Sequence, residues 1–245
     1  MDNAADVLAE RRCIWPAKPI LKKLYGKWYR RIGAFIVSGH TLELGGGSGN
    51  LKDFFPRVTS TDIVYAPWLD AVSDALCLPF RSASIGNIIL FDVLHHLERP
   101  LKFLQEAQRV LDRRGRLIMM EPFVSVASAG IYRFLHHEGI DWKWNPFLST
   151  STSGTTKHPF EGNQAVANIL FYKHRTRILR QLTQMHLIFE ERTDFFAYPL
   201  SGGFHKPSLC PVWLYPVLTR LEKALKPLNR LLAFRVLLVL EKRPK

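Results

Sequence analysis

The sequence has few cysteines, and they are not arranged to build a structural site. Cys13, Cys77 and Cys210 are far apart and odd in number. They therefore form neither a disulfide framework nor a C-x-x-C metal site. This usage favours a reducing compartment.

The sequence also lacks a long hydrophobic run. Its best candidate, LLAFRVLLVL, is short and is interrupted by Arg235, so we expect no membrane-spanning helix. The opening segment MDNAADVLAERR has no apolar h-region, so we expect no signal peptide. These absences predict a cytoplasmic protein, with a location at the inner face of a membrane as the open alternative.

Acidic residues are scarce in two segments near the ends of a chain whose formal net charge is +13, although residues 1–10 carry a charge of −3. Residues 11–31 hold eight Lys or Arg and no acid, and residues 216–245 carry a net charge of +6, whereas residues 32–215 are nearly neutral. A basic end segment attracts anionic lipid, nucleic acid or a phosphorylated substrate, or it is simply a solvated face. Both interpretations stay open.

What the sequence does contain is a glycine-rich turn between a strand-like run, TLEL, and a helix-like run, NLKDFF. Its pattern is E-x-G-x-G-x-G, with Glu43, Gly45, Gly47 and Gly49. Glycine permits positive φ and lets a ligand lie against bare backbone. The dinucleotide fingerprint fails at Asn50, and no Gly-Lys-Ser/Thr follows as in a P-loop.

Three further motifs follow in order. RVTSTD ends in Asp62, an acid at the tip of a second strand, and DALCLPF begins at Asp74. IGNIILF runs into Asp92 and His95-His96, before a helix, a Gly115 turn and a fifth strand in RVLDRRGRLIMMEPF. Together these segments, over residues 41–123, resemble class I S-adenosylmethionine-dependent methyltransferases, and most of all the type-11 methyltransferase domains.

The resemblance implies an α/β fold: a doubly wound, seven-stranded Rossmann-like sheet. Its last strand is antiparallel and inserts between strands five and six. We expect an N-terminal basic helical segment over residues 1–38 and the methyltransferase domain over 39–245, with 124–184 as a lid insertion.

The same resemblance implies S-adenosylmethionine as the cofactor. Asp62 is expected to accept the ribose hydroxyls, and Asp74 the adenine amino group. The residues expected to bind the cofactor are Glu43, Gly45, Gly46, Gly47, Gly49, Asp62, Ile63, Asp74, Ala75, Leu76, Phe91 and Asp92.

Methyl transfer from a sulfonium is a direct displacement, so the protein mainly aligns the acceptor. A hydroxyl or protonated amine acceptor also benefits from a general base. Histidine suits that role near neutral pH, and the catalytic candidates are His95, His96 and His137. The adjacent His136, His137 and Glu138 include zinc-ligand types, but neighbours on a helix do not share a face, so we predict no metal site.

The aromatic-rich insertion at residues 124–162 suits an acceptor site, with Trp142 and Trp144 as substrate residues. Packing within the insertion is the alternative. We expect a small-molecule acceptor: a lipid, a quinone-like ring or a sugar intermediate. An RNA or protein acceptor, or a non-catalytic module that binds a partner or membrane, stays open. DNA base methylation is disfavoured because no Asn-Pro-Pro-Tyr follows the fourth strand.

Residues 21–36 show helical periodicity, with an apolar stripe opposite Lys and Arg. We favour a helix that packs on the sheet and covers the cofactor over one that lies on a membrane. Further helices are predicted over residues 163–184 and 213–226.

Overall fold

The fold is built on one seven-stranded sheet. The computed structural model describes residues 3–134, 138–148 and 158–244. The strands are β1 (Thr41–Leu44), β2 (Thr59–Asp62), β3 (Ala71–Val72), β4 (Ile85–Phe91), β5 (Leu111–Pro122), β6 (Met185–Thr193) and β7 (Arg235–Lys242). Their order is β3-β2-β1-β4-β5-β7-β6, and β7 runs antiparallel to both its neighbours while the other pairs are parallel. This confirms the predicted sheet and its inserted last strand.

Helices flank the sheet on both faces. They are α1 (Ala4–Ala17), α2 (Pro19–Gly33), α3 (Pro100–Val110), α4 (Val126–Phe134), α5 (Val166–Asn168), α6 (Arg175–Gln181), α7 (Ala197–Ser201), α8 (Tyr215–Ala224) and α9 (Asn229–Leu232). The central strands β4 and β7 are buried along almost their whole length, as expected where helices cover both faces of a sheet. Among the described residues, no helix combines the length and apolar character needed to cross a bilayer.

The apolar stripe of α2 is buried against the sheet. Leu24, Trp28 and Ile32 belong to one core cluster with Ile89 of β4 and Leu237 of β7. The indole Nε1 of Trp28 also donates to Asp194 Oδ2 at 2.8 Å. The helix therefore packs on the sheet, as we expected, and does not present its apolar stripe to a membrane. It begins and ends a few residues earlier than predicted.

The helix predicted directly after the glycine turn is absent. Residues Asn50–Asp53 form only a short 3₁₀ turn. Pro56 explains the early end, because a proline disfavours helical geometry in the residue before it. This turn is too short to supply the helix N-terminus that the glycine motif suggested.

The helix predicted over residues 163–184 is divided. A π-helical turn over Ile169–Lys173 separates α5 from α6. The backbone N–H of His174 donates to the carbonyl of Ile169 at 3.0 Å, which accommodates one extra residue in the turn. Asn163 does act near the start of this segment, since its Oδ1 accepts from the N–H of Ala165.

Candidate functional site

Strands β1, β2 and β4 end at the same edge of the sheet, and the glycine turn lies there. Gly45, Gly47 and Gly49 have φ values of 70°, 51° and 76°, a region that side chains other than glycine rarely adopt. The N–H of Gly46 donates to the carbonyl of Thr61 at 2.9 Å, which ties the turn to β2. The motif thus folds as a compact left-handed turn.

Asp62 holds this turn in place. Its Oδ2 accepts from the N–H of Gly47 at 2.9 Å, and its Oδ1 accepts from the N–H of Val64 at 3.0 Å. Burial raises the pKa of Asp62, against the effect of these backbone donors. An ionised carboxylate has about four acceptor positions, so each oxygen keeps capacity for a further donor such as a ribose hydroxyl.

Glu43 is a buried acid at the end of β1. It accepts a short hydrogen bond from the hydroxyl of Ser60. Burial raises its pKa to about 7, with a further contribution from the nearby charge of Asp62. Gly46 makes this packing feasible, because a Cβ there would lie 2.2 Å from Ser60 Oγ.

Helix α1 lies over the glycine turn, which the sequence did not indicate. Leu8 is buried, and its Cδ2 lies 3.7 Å from where a Cβ on Gly47 would be. Arg12 donates to the carbonyl of Ser48 at 2.8 Å and stacks 4.9 Å from the ring of Trp68. The same indole donates from Nε1 to the carbonyl of Gly47 at 2.8 Å.

The residues expected around the adenine lie beside β3. Asp74 is exposed and its Oδ1 accepts from the N–H of Leu76 at 2.8 Å. Ile63 is 53% exposed, while Ala75 is buried and Leu76 packs on the core. An accessible acid and an accessible apolar side chain therefore flank this part of the edge.

The end of β4 carries an ion pair that the sequence did not suggest. Asp92 has a φ of 58° and accepts a short hydrogen bond from Arg235, the first residue of β7. Arg235 is buried, and its guanidinium lies 4.6 to 5.1 Å from the rings of Trp28, Phe91 and Tyr198. In the sequence this arginine only interrupts an apolar run, and nothing local reveals its partners.

A second cluster of ionisable groups follows immediately. His95 Nδ1 lies 2.7 Å from Glu121 Oε2, and its Nε2 lies 3.2 Å from Glu138 Oε2. His96 Nε2 lies 3.8 Å from Glu138 Oε1. Gln164 also donates a short hydrogen bond to Glu138. The structure thus joins His95 and His96 to two glutamates that lie far away in sequence.

The pKa values of the two histidines in this cluster shift in opposite directions. Burial alone would lower the pKa of His95, but its hydrogen bonds to Glu121 and Glu138 raise it to about 10. Burial and the neighbouring charge of His95 lower the pKa of His96 to about 3. These shifts favour the imidazolium form of His95 and the neutral form of His96.

The segment that carries Trp142 and Trp144 is tied to the His95 cluster through Asn163, which accepts from the N–H of Asp141 and donates its own N–H to the carbonyl of His95. Trp142 is 45% exposed, and Trp144 packs against two core clusters. His137 lies outside the described residues. The aromatic rings observed at the sheet edge are instead those of Tyr25, Phe91 and Tyr198, which come from α2, β4 and α7.

The donor set fits S-adenosylmethionine. Glu43 and Asp62 place two carboxyl groups beside the glycine turn, which suits a ligand with a sulfonium and an ammonium group. A Cβ on Gly47 would have only van der Waals neighbours, the nearest being Leu8 of α1.

Comparisons with known proteins agree with this geometry. Residues 42–119 match the family model described as a methyltransferase domain. No curated protein sequence matches the chain. Among solved structures, a methyltransferase from Archaeoglobus fulgidus has a TM-score of 0.51 at 13% identity, covering 91% of this chain and 94% of its own. One from Thermotoga maritima has a TM-score of 0.54 at 10% identity, covering 99% of this chain and 100% of its own.

A third structure with this fold is the geranyl diphosphate C-methyltransferase of Streptomyces coelicolor. Its TM-score is 0.50 at 13% identity, and the match covers 91% of this chain and 78% of that protein. These likenesses show a shared fold. Beside this shared fold, the match to the family model identifies a methyltransferase domain over residues 42–119.

Proposed function

We propose that this enzyme methylates a small, largely apolar acceptor that binds at the carboxyl edge of the sheet. The observation that carries the proposal is the group of aromatic side chains at the end of β4, where Tyr25 stacks on Phe91 at 5.0 Å and Tyr198 faces the guanidinium of Arg235. Aromatic rings with a few fixed polar groups are typical of sites for apolar ligands. Residues 124–184, within the domain at 39–245, are proposed as the lid over this acceptor.

Glu43, Asp62 and Asp74, with the glycine turn, are the residues that would hold the cofactor, which supplies an activated methyl group. The protein's main task is then to orient the acceptor, which can lower the barrier by ~7–11 kcal/mol. Phe91 and Asp92 end β4 between the glycine turn and the His95 cluster, so they are proposed to lie where donor and acceptor meet.

The cluster of His95, His96 and Glu138 is proposed to handle the acceptor's proton. The raised pKa of His95 favours its protonated form between two carboxylates, so His95 is proposed to position Glu138, and Glu138 is proposed as the base. A positioned base contributes about 10²- to 10⁴-fold, so Glu138→Gln should lower kcat within that range for a hydroxyl acceptor.

Calorimetry with S-adenosylmethionine and its demethylated product tests the cofactor assignment. We expect dissociation constants on the order of micromolar. The absence of both heat and thermal shift with either ligand would contradict the assignment.

Transfer of a labelled methyl group separates the acceptor classes. The enzyme is incubated with lipid extract, RNA and protein fractions in parallel. Label in the lipid or small-molecule fraction supports the proposal. Label in RNA or protein points to the other classes, and cofactor binding without transfer in any fraction would indicate a non-catalytic module.

We also propose that the enzyme contacts a membrane through its C-terminal helical segment. Val217 and Leu221 lie one turn apart on α8, and Leu231 lies on α9. Trp213 and Leu228 lie on the 3₁₀ turns just before each of these helices. The five side chains are between 44% and 74% exposed. Exposed apolar side chains grouped along one segment mark an interaction surface.

The charges beside this surface favour an anionic bilayer. Arg220, Lys223, Lys226 and Arg230 are exposed, whereas Glu222, the acid within this segment, is buried. Each Lys or Arg near such a surface adds about 1 kcal/mol. The N-terminal basic segment contributes less to this membrane contact than its sequence suggested, because the apolar stripe with Trp28 and Tyr29 is buried against the sheet.

Vesicle co-sedimentation tests this contact. Wild type should bind vesicles containing phosphatidylglycerol more than vesicles of phosphatidylcholine alone, and salt should weaken binding because it shortens the Debye length from about 10 Å at 0.1 M. Leu221→Asp should reduce binding, while Val72→Asp, an equally exposed apolar position on β3, should not. Equal binding to both vesicle types would contradict the proposal.

A further inference from the structure

His95, His96 and Glu138 bring three ligand atoms of metal-binding type to one point. One nitrogen from each histidine and one oxygen from the glutamate all lie within 4.8 Å of one another. His95 and His96 lie at the end of β4, and Glu138 lies more than forty residues later, in the insertion after β5. The fold therefore assembles a His₂Glu set that the sequence hides.

The second nitrogen of each histidine is fixed by another group. His95 Nδ1 lies 2.7 Å from the carboxylate of Glu121, and His96 Nδ1 donates to the carbonyl of Glu161 at 3.1 Å. Histidines that bind metals usually donate their other ring N–H to a carboxylate or carbonyl, which orients the ligand nitrogen. In both residues the orientation turns Nε2 toward Glu138.

Glu121 is itself held firmly. Its Oε1 accepts from the N–H groups of Val93 and Leu94 at 3.0 and 2.9 Å. Glu121 is completely buried, so the carboxylate that orients His95 cannot move away. Such a supporting residue is what a preorganised metal site requires.

The separations suit a small transition-metal ion. Nitrogen and oxygen ligands lie about 2.0–2.2 Å from zinc, so two ligands at a tetrahedral angle are roughly 3.3 Å apart. The observed separations are 3.2 Å from His95 Nε2 to Glu138 Oε2 and 3.8 Å from His96 Nε2 to the other oxygen, Oε1. One ligand atom from each residue lies within 4.8 Å of the other two, so side-chain rotations of His96 and Glu138 would be needed to bring all three atoms to one ion.

The ligand types and the packing suit a cation at this point. Glu121 and Glu138 lie at the two ring nitrogens of His95, at 2.7 and 3.2 Å. Gly162 closes one side of the cluster, because a Cβ there would lie 2.7 Å from Glu138 and 2.8 Å from His95.

From this geometry we propose that His95, His96 and Glu138 bind one divalent transition-metal ion of the zinc class. Zinc enzymes commonly use three protein ligands, including His₂Glu sets, and leave a further position for water or substrate. In an enzyme with the proposed function, the ion polarises an acceptor oxygen and lowers the pKa of its hydroxyl group. That role rests on the proposed function, whereas the site itself does not.

Metal titration of the full chain tests the site. Protein treated with a chelator is titrated with ZnCl₂ by calorimetry and with CoCl₂ by visible absorption. We expect one equivalent of each, with micromolar or tighter binding of zinc. A cobalt spectrum of tetrahedral intensity would report the geometry independently of activity.

Matched variants locate the binding. His96→Gln and Glu138→Gln should each weaken zinc binding at least tenfold, whereas His40→Gln, at an exposed histidine before β1, should bind as wild type does. If Glu138→Gln fails to fold, the His96 variant and the cobalt spectrum still decide. Zinc affinity weaker than millimolar in wild type, or unchanged in both ligand variants, would overturn the site.

S-adenosylmethionine affinity is measured on the same samples. Zinc-free wild type and all three variants should keep it. If the wild type binds the cofactor but not zinc, only the metal site is refuted, and His95 remains an imidazolium bridge between two glutamates. Failure of cofactor binding in wild type would instead refute the proposed function.

Discussion

Replacing Glu43 by glutamine should stabilise the free enzyme at alkaline pH while weakening its cofactor binding. The Glu43 carboxyl is buried at the end of β1, and burial raises its pKa from 4.5 to about 7. The folded protein therefore holds this proton more tightly than the unfolded chain. As pH rises between these two values, the unfolded state releases the proton first, and the free energy of unfolding falls.

The magnitude follows from the size of the shift. One pKa unit corresponds to about 1.4 kcal/mol, so a shift from 4.5 to about 7 costs the folded enzyme about 3 kcal/mol above pH 7. Glu43→Gln removes this cost because the amide stays neutral. The pH-dependent part of its advantage in the free energy of unfolding should be close to zero near pH 4 and about 3 kcal/mol near pH 8. A weaker hydrogen bond to Ser60 should subtract about 1 kcal/mol from this advantage.

Urea denaturation of both proteins across this pH range measures the effect. Only the difference between variant and wild type is used, because Asp62 and Asp92 also have raised pKa values. Glu10→Gln, at an exposed position of α1, is the matched control and should give a flat difference. Identical pH slopes for wild type and Glu43→Gln would refute the buried-acid argument.

Cofactor binding supplies a second readout of the same group. The positive charges of S-adenosylmethionine should favour the ionised form of Glu43 and lower its pKa. Calorimetry near pH 6 in two buffers of different ionisation enthalpy should detect proton release on binding. Glu43→Gln should show weaker binding and no release. Equal release from both proteins would assign the proton to another group.

Three further substitutions and one exchange experiment test the site. Gly47→Val should abolish cofactor binding, measured by calorimetry, because the φ of 51° at this position favours glycine. The variant should still fold, as circular dichroism checks, because Leu8 leaves room for the added side chain. Asp62→Ala should weaken cofactor binding by about 1–3 kcal/mol, measured by the same titration. Arg235→Met should lower the free energy of unfolding by about 3–5 kcal/mol, since it leaves Asp92 unpaired, and adding Asp92→Asn should restore part of it; no recovery would contradict the pairing. Hydrogen exchange in residues 138–148 should slow with acceptor, and slow exchange without acceptor would indicate a fixed layer.

Local patterns in the sequence were sufficient to predict the sheet edge. A strand that ends in an acid, followed by glycines, has few alternative conformations, and the observed φ values of Gly45, Gly47 and Gly49 agree with the expectation. The order of the strands and the antiparallel β7 followed from the family resemblance, because no local signal specifies which strands are neighbours. The observed strand order therefore supports the family resemblance as much as the local sequence patterns.

The misses share a physical cause. Helix α1 has little amphipathic character, with Leu8 and Trp15 as its buried residues, so periodicity could not show that it covers the glycine turn. Arg235 and Glu138 act through partners more than forty residues away. Contacts over such separations leave no trace in spacing. The sequence likewise could not show that Glu138 lies beside His95 and His96.

Buried carboxyl groups are concentrated on one edge of an otherwise apolar sheet. Glu43, Asp92 and Glu121 lie at the ends of β1, β4 and β5. Burial raises the pKa values of Glu43 and Asp92, so stability alone would favour a neutral residue at those two positions. The hydrogen bond and charge of His95 lower the pKa of Glu121 despite its burial. A cationic cofactor offsets the cost at Glu43, Arg235 offsets it at Asp92, and a metal ion or the His95 imidazolium offsets it beside Glu121. Because the compensating charge at Glu43 comes from a ligand, a neutral substitution at this position should show most clearly that stability rises while cofactor binding weakens.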